Sequence, residues 1–589
     1  MTNTAAAKKN ICHLQNNSST QNKNIDYISK QFNLHPLAAK LLVARGITQP
    51  DQIHSYLYPT IQDNSSDAYQ IKGLKKAIDL TIKTISKKNL IGITCDFDVD
   101  GLTSASQVVS LLNFINHPYK LYVPDRFKHG YGLHQEIISQ CKNDNISLLI
   151  CLDIGTTNYN QLQLAQNLGI KTIVIDHHSL SAAKNPPPAD AFINPAQKNC
   201  GFANNTLASA GLTWYFTRTL LKKLIHHNII SPSSLNTVQQ IEDTIIQFAC
   251  LGTVCDMVPL LGINRAIAKK GLEKISTTPT LGIQALKNVA GIAGKVQCSS
   301  LAFGLGPRIN AAGRIAHAQE VITLLTTNNI NQANSLAAKL NKYNQKRQSL
   351  EQIIKENAVK IAQKRLSVSD RHLPCLVVWD KKYHIGVIGI VAQRLVEKFK
   401  CPTVVIGFEG NVWKGSARSI PGFNIIQAFK KLSHNLISYG GHENAGGLVI
   451  EENKIPSFKR EFEMLCTKWW AEEKHPCTTP LVDLKITLSE ITKELILDLQ
   501  KFEPFGIGNP RPSFLMPKLK VSSVQLIKNR HLKVIVTDGK RIMPAFFWHR
   551  KEDPLLKNGA CVNLIATPVL GSYYGIEEIQ LMLKSVTPP

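Results

Sequence analysis

No CxxC pair occurs among the 13 cysteines of this chain. A zinc ribbon needs that spacing, and a secreted disulfide scaffold needs an even, clustered set, so both classes fall away. No apolar run approaches the roughly 20 residues of a membrane span. The opening stretch MTNTAAAKKNICHLQNNSSTQNKN has no hydrophobic segment of the kind a secretory leader carries. The expectation is a reducing, cytoplasmic protein with no membrane role, whose first two dozen residues form a polar tail. Acid is scarce as well: 42 Asp+Glu stand against 68 Lys+Arg, a formal net charge of +26. Such a field favours polyanions, nucleic acid first among them. An anionic membrane surface and a merely basic background are the alternatives.

At 589 residues the chain exceeds one core, and three or four domains are expected. From about residue 72 to 265, short apolar runs alternate with amphipathic stretches, the pattern of a parallel α/β sheet. Strands are expected at 90–94, 120–123, 148–152 and 172–175, with Asp96, Asp125, Asp153 and Asp176 just beyond them. Open α/β sheets place their sites at such strand ends. KNPPPADAFINP (184–195) reads as a surface loop. Apolar residues at Leu336, Leu340, Tyr343, Leu350, Ile354 and Ile361 predict one long helix, packed on a single domain or bridging two. A second α/β pattern starts near 372, with LPCLVVW and PTVVIGF as strands around a helical IGIVAQRLVEKF. Beyond about 512, runs such as HLKVIVTD, MPAFFW and CVNLIA predict a small β-barrel or sandwich.

The chemistry gathers in ITCDFDVDGLTSA (93–105), which sets Asp96, Asp98 and Asp100 on alternate residues. On an extended chain all three face one way and call for a cation. CLDIGTTN adds Asp153, VIDHHS adds Asp176, His177 and His178, and LGTVCDMVPL places Asp256 in a loop. Carboxylates with one or two imidazoles suit Mg²⁺ or Mn²⁺ better than a thiolate-loving metal. Two such ions would activate a water and clamp a leaving oxygen, the apparatus of phosphodiester or phosphoanhydride hydrolysis. Taken singly, each motif has a plainer reading: a solvated loop, a structural histidine pair, a helix N-cap.

DFDVDG, CLDIGTTN, VIDHHS and LGTVCDMVPL resemble the four motifs of the DHH phosphoesterase superfamily. GYGLH (130–134), PRINAAGRIAHA (307–318), HIGVIGIVAQRL (384–395), GSARSIPGF (415–423), GGHENAGG (440–447) and PFGIGNPRP (504–512) resemble its single-strand-specific exonuclease branch, the RecJ family. The resemblance implies an α/β multidomain protein: a tail and small helical segment over 1–70, a DHH domain with a parallel sheet over 71–330, a connecting helix over 331–370, a DHHA1 domain over 371–470 and an OB-like barrel over 471–589. It implies Asp98, Asp100, Asp153, His177 and Asp256 as ligands of two Mn²⁺ or Mg²⁺ ions, Asp153 bridging. Asp96 is a further ligand that compensates for Thr94, where related pyrophosphatases carry histidine. His178 orients the site or meets phosphate, and Asp176 is structural or ligating. Ser416, Arg418 and His442 are implied as phosphate contacts, with Arg308, Asn310 and Arg314 lining the same channel or bracing the domain interface. Cys95 and Gly446 depart from the family pattern, which has glycine and alanine there.

The implied activity is degradation of single-stranded DNA 5′→3′ to 5′-mononucleotides in recombination and repair, by a monomer working beside a single-strand-binding protein and a helicase. Phe546, Phe547 and Trp548 are candidates for stacking on bases, with at least one of each neighbouring pair turned into the barrel core. The competing readings are a DHH phosphodiesterase of oligoribonucleotides or cyclic dinucleotides, a pyrophosphatase and a non-catalytic single-strand-binding scaffold.

Overall fold

Apolar runs with no polar alternation are the mark of strands buried on both faces, and the first sheet is built of them. β1 (Ile91–Cys95), β2 (Tyr119–Tyr122), β3 (Leu148–Leu152), β4 (Lys171–Ile175) and β5 (Ala191–Ile193) are all parallel, in the order β2-β1-β3-β4-β5. The computed structural model describes residues 19–61, 68–125, 130–180, 186–202, 206–230, 235–366, 373–472, 482–573 and 576–589. Most of the expected N-terminal tail, residues 1–18, lies outside them. β1 and β3 are buried at every position. The chain runs outward to β2 on one side and to β4 and β5 on the other, so β1 and β3 flank a topological switch point. The stretch 184–195 is not wholly a surface loop. Ala191–Ile193 pairs with β4 as a buried edge strand, because AFI is apolar enough to extend the sheet after the prolines.

The helix Ile330–Leu366 runs 37 residues and joins two cores. Ala333, Ala337 and Leu340 pack in the core of the first sheet, while Ile354, Ala358 and Ala362 pack in the next. Of the expected apolar positions Leu340 and Ile354 are buried, Leu336, Tyr343 and Leu350 pack partly buried against the two cores, and Ile361 is exposed; small residues and a polar waist complete the buried line. At the waist, Arg347 donates to Asn344 at 3.1 Å and to Glu351 at 3.0 Å, and Arg394 also pairs with Glu351.

The second sheet comprises β6 (Leu376–Trp379), β7 (Thr403–Glu409), β8 (Val412–Arg418), β9 (Leu436–His442) and β10 (Ala445–Ile450), ordered β6-β7-β8-β10-β9. β6 and β7 are parallel, joined through the helix Ile388–Phe399, and the others are antiparallel. The last unit is a barrel of β12 (Phe514–Ile527), β13 (His531–Thr537), β14 (Ile542–Phe547), β15 (Cys561–Tyr573) and β16 (Ile576–Thr587), closed by β12 pairing with β15. β11 (Leu484–Lys485) is added at β12.

The barrel shares its core with the start of the chain. Ile28, Leu41, Leu42 and Ile53 pack with Leu495, Phe502, Phe514 and Val534 in one cluster. Arg265 locks this assembly to the first domain. Its buried guanidinium donates to the carbonyls of Tyr56, Phe502, Glu503 and Pro504 at 2.8–3.1 Å and stacks 4.4 Å from the Tyr56 ring centroid. Four of its five N–H groups thus meet carbonyls, as a buried cation requires.

Candidate metal centre and interdomain cleft

Asp98 begins the site by ending a loop. Its carboxylate accepts the amides of Asp100, at 2.9 Å, and Gly101, at 3.2 Å, and so caps the helix Val99–Phe114. The extended alternation expected for Asp96, Asp98 and Asp100 therefore stops at Asp98, and Asp100 sits in the first helical turn. Gly101 permits the crossing, since a Cβ there would lie 2.6 Å from the Asp96 carbonyl oxygen. Asp100 in turn caps a second helix, Ser209–His226: its two oxygens accept the amides of Ser209 and Ala210, each at 2.8 Å. A carboxylate at a helix N-terminus is favoured by both the free amides and the helix dipole.

Asp153 follows β3 in a left-handed conformation, φ +61°, and accepts the Ser209 hydroxyl at 2.9 Å. A non-glycine residue held there stores about 1 kcal/mol or more of strain, a feature that concentrates at functional sites. Asp256 opens the loop that follows the 21-residue helix Leu235–Cys255. His177 stands between these groups, with its Nε2 3.5 Å from Asp153, 3.6 Å from Asp256 and 3.8 Å from Asp100. Three overlapping sets offer ligand atoms within 4.8 Å of one another: Asp96, Asp98 and Asp153; Asp100, His177 and Asp256; Asp153, His177 and His178. Asp153 and His177 join the sets into one cluster. Asp125 and Asp176 belong to none of them.

Asp176 has a different task. Fully buried, it accepts the amides of Thr156, His177 and His178 and the ring Nδ1 of His178, at 2.6–3.1 Å. Four donors fix the DHH turn. Burial pulls the His178 pKa down, but Asp176 outweighs it and holds the imidazole up at about 9. Burial and the His178 charge press His177 down to about 4, leaving a neutral, ligand-ready ring. Burial, then the charge of Asp98, raises Asp100 to about 7. Burial, then Asp100 and Asp98, raises Asp256 to about 9, and burial and the same neighbours lift Asp153 as well. Carboxylates crowded into a dry pocket hold protons unless a cation takes their place. The donor set, oxygen-rich with one or two imidazoles and no thiol, fits Mn²⁺ or Mg²⁺. Donors roughly 2.1 Å from an octahedral ion stand about 3.0 Å apart when adjacent and about 4.2 Å when opposite, and the 3.5–3.8 Å separations around His177 lie between the two.

A cleft of about 900 Å³ opens beside the cluster, between the two sheets. Phe97, lying between two of the aspartates, and Tyr131 form the near wall. The Tyr131 hydroxyl reaches the Asp153 carbonyl at 3.2 Å and His178 at 3.1 Å. The far wall is β8, with Ser416 and Arg418, whose side chains hydrogen-bond at 3.1 Å. Gly389 lets the helix Ile388–Phe399 press onto this pair, since a Cβ there would sit 3.0 Å from the Ser416 hydroxyl. Register sets Arg418, Ala445 and His442 in one row across β8, β10 and β9. Gly446 is required beside them, because a Cβ would meet the Phe429 ring at 2.8 Å. Arg314 lines the cleft and donates to the Gly386 carbonyl at 3.1 Å. Asn310 accepts the Val99 amide at 3.2 Å and so steadies the turn carrying Asp98. Arg308 donates to Asn341, the Gly304 carbonyl and the Val289 carbonyl at 2.7–3.2 Å, and so braces these helices.

On the barrel, alternation divides the three aromatic candidates. Phe547 is 7% exposed in the core, while Trp548 is 49% exposed and stacks on Phe546, 15° from parallel. Lys533 lies 6.0 Å from the Phe546 ring centroid. Sequence reasoning did not pick out Tyr131, Ser209 or Thr156. Tyr131 lies within GYGLH, whereas nothing in ASAGLTW signals that its first helical amides are capped by an aspartate 109 residues earlier.

Three family models match the chain in order: the DHH family N-terminal domain over residues 90–253, the DHHA1 domain over 372–468 and the RecJ OB domain over 482–585. The single-stranded-DNA-specific exonuclease RecJ of Escherichia coli K12 is 31% identical over 511 residues, covering 85% of this chain and 87% of that protein. The Bacillus subtilis protein of the same name is 29% identical over 563 residues, 95% of this chain and 68% of its own length. In fold, the chain is similar to the crystal structure of RecJ from Thermus thermophilus in complex with Mn²⁺, with a TM-score of 0.79 at 24% identity over 96% of this chain and 78% of that one. A second structure from the same source is a complex with Mg²⁺. A 31% identity that spans 85% of this chain and 87% of its relative, with three domain matches in the same order, leads to one conclusion: the chain belongs to the RecJ family.

Proposed function

We propose that this protein is a metal-dependent exonuclease of single-stranded DNA, taking the strand 5′ end first and releasing 5′-mononucleotides. The observation that carries this reading is an oxygen-rich ligand cluster facing a wall of phosphate donors across one cleft. Asp98, Asp100, Asp153, His177 and Asp256, joined by Asp96, would hold two Mn²⁺ or Mg²⁺ ions, Asp153 belonging to two of the three candidate ligand sets. When bound, such ions supply a nucleophilic water at neutral pH and offset charge on the reacting phosphate. The water oxygen bonds to phosphorus, the P–O3′ bond breaks, O3′ takes up a proton, and the shortened strand keeps a 5′-phosphate.

The chain's own residues orient this exchange. His178, held cationic by Asp176, faces the phosphate from the cluster side. Arg314, Ser416, Arg418 and His442 grip phosphate oxygens from the other side, the two guanidiniums as planar forks. Phe546 and Trp548 hold bases farther along the strand. A cleft walled by two rigid sheets admits one strand and not a duplex. The resemblance further implies a cytoplasmic monomer that works beside a single-strand-binding protein and a helicase, which pull-down and sedimentation would test. Among the described residues no helix is long and apolar enough to cross a membrane.

An oligonucleotide labelled in turn at each end, with Mn²⁺, tests the reading. Immediate release of labelled mononucleotide from the 5′-labelled strand is expected, lost with EDTA, with duplex and with Asp153→Ala. Tight binding without cleavage would overturn it. Cleavage confined to very short oligomers would point to a small-substrate phosphodiesterase instead.

A further inference from the structure

The most exposed large apolar side chain among the described residues is not on the barrel. Phe303 is 82% exposed, and it stands on the wall of the cleft that also holds Tyr131, Arg314, Ser416 and Arg418. Its setting is unusual. The helical run Cys298–Ile315 is interrupted by a π-helical turn, Leu301–Leu305. A π-turn inserts one extra residue into the helix at the expense of hydrogen-bond geometry, and such turns recur at functional sites. Here the turn buries Leu301 and Leu305 completely and pushes Phe303, midway between them, outward.

The turn is held by several contacts. Arg308 donates to the Gly304 carbonyl at 2.7 Å and ties it to the Val289 carbonyl and Asn341. A Cβ at Gly304 would meet Ile292 at 2.6 Å, and one at Gly306 would meet the Cys255 sulfur at 2.7 Å. The Cys255 thiol in turn lies 3.8 Å from the Leu301 carbonyl oxygen, and its neighbour in sequence is Asp256 of the ligand cluster. The ring is thus presented by a rigid support continuous with the site. A lone aromatic in water has no packing role in the fold, and burying it would be favourable.

We propose that Phe303 is a base-stacking subsite of the cleft, taking the face of an unpaired nucleobase while Arg314 and Arg418 hold the adjoining phosphates. The inference rests on the exonuclease reading above. A flat ring beside planar cations in one groove is what a single strand offers partners for: a π-face at each base and an anion at each linkage. In a duplex the same face is covered by the neighbouring base pair, so Phe303 favours strands whose bases are free. Arg308 is the positioning residue that keeps the turn, and with it the ring, in place.

Steady-state cleavage with Mn²⁺ tests this, using wild type, Phe303→Ala, Phe303→Leu and Phe303→Trp on a normal single strand and on one of the same length built of abasic residues. Loss of one stacked base is expected to raise KM roughly tenfold in Phe303→Ala. Phe303→Leu, apolar but not flat, should resemble alanine, and Phe303→Trp should restore the wild-type KM. The ratio of Phe303→Ala to wild type should collapse towards one on the abasic strand. Thermal melts confirm folding, which so exposed a position should not disturb. Wild-type cleavage with KM indifferent to Phe303→Ala would overturn the inference and leave the exonuclease reading standing. Absence of cleavage by the wild type would remove both.

Discussion

Asp176 and His178 are joined twice: one oxygen of the buried carboxylate takes both the backbone amide of His178, at 3.1 Å, and its ring Nδ1, at 2.6 Å. The pair makes His178 an oriented cation rather than a free imidazole. Asp176→Asn keeps the shape and removes the charge. We expect kcat to fall roughly 10- to 100-fold, the usual loss when the partner that orients a site histidine is removed. Mn²⁺ affinity should change little. Calorimetric titration with Mn²⁺ beside kinetics checks this, and a fall in affinity matching the fall in kcat would make Asp176 a ligand.

Asp153→Asn should be far more damaging, beyond the 10- to 100-fold range of a supporting residue. Its carboxylate belongs to two of the three ligand sets. One Mn²⁺ per chain fewer in equilibrium dialysis is the expected companion. An unchanged metal count would contradict the shared-ligand assignment.

The site makes a pH prediction whose sign can be worked out. Burial and then the Asp98 charge raise Asp100 to about 7, and burial and then Asp100 and Asp98 raise Asp256 to about 9, with Asp153, His177 and the His178 cation also facing them. A carboxyl with a raised folded pKa binds its proton more tightly folded than unfolded. That stability is fully present below the unfolded value and is lost as pH rises through 7 and 9. Metal-free protein should therefore melt lower at pH 8.5 than at pH 6, and the melting-temperature gain on adding Mn²⁺ should grow over the same window. An Mn²⁺ effect that shrinks with pH would refute this.

Arg265 anchors three parts of the chain through four carbonyls. Arg265→Ala leaves those acceptors buried and unmet and should destabilise by about 3–5 kcal/mol. In denaturant the first domain and the barrel should unfold farther apart than in the wild type. A shift below 1 kcal/mol would mean that water replaces the guanidinium.

Two neighbouring aromatics should behave oppositely. Trp548→Ala should weaken single-strand binding by about 1–3 kcal/mol with little effect on stability. Phe547→Ala should destabilise by about 3–5 kcal/mol, the usual result of emptying a core position. Fluorescence anisotropy and chemical melts of both variants distinguish the roles.

What could be read from the residues alone follows from where the physics is local. The 148–152 strand was legible because a strand buried on both faces must be apolar throughout, and IGIVAQRLVEKF because helical period and flanking turns coincide. The three aspartates misled because alternation presumes an extended chain, whereas Asp98 is itself a helix cap. The bridging helix showed Leu340 and Ile354 but hid the middle of its buried face, since Asn344, Arg347 and Glu351 satisfy one another inside and read as surface residues. Arg308 reads either as a channel residue or as a brace, because a guanidinium suits phosphates and carbonyls equally; its carbonyl partners at Gly304 and Val289 become visible only in the fold. Ser209 could not be found at all, its function arising from a helix end brought to Asp100 by the tertiary structure.

The core shared by the first helices and the barrel carries a consequence for synthesis. Ile28, Leu41 and Ile53 emerge early, but Phe514 and Val534 follow only after more than 400 further residues. At ordinary elongation rates of roughly 5–20 residues per second, the early helices wait on the order of 20–90 s for their partner. Until then they are a greasy surface on the nascent chain. The protein must hold that surface open, or lend it to a chaperone, while two whole domains fold in between.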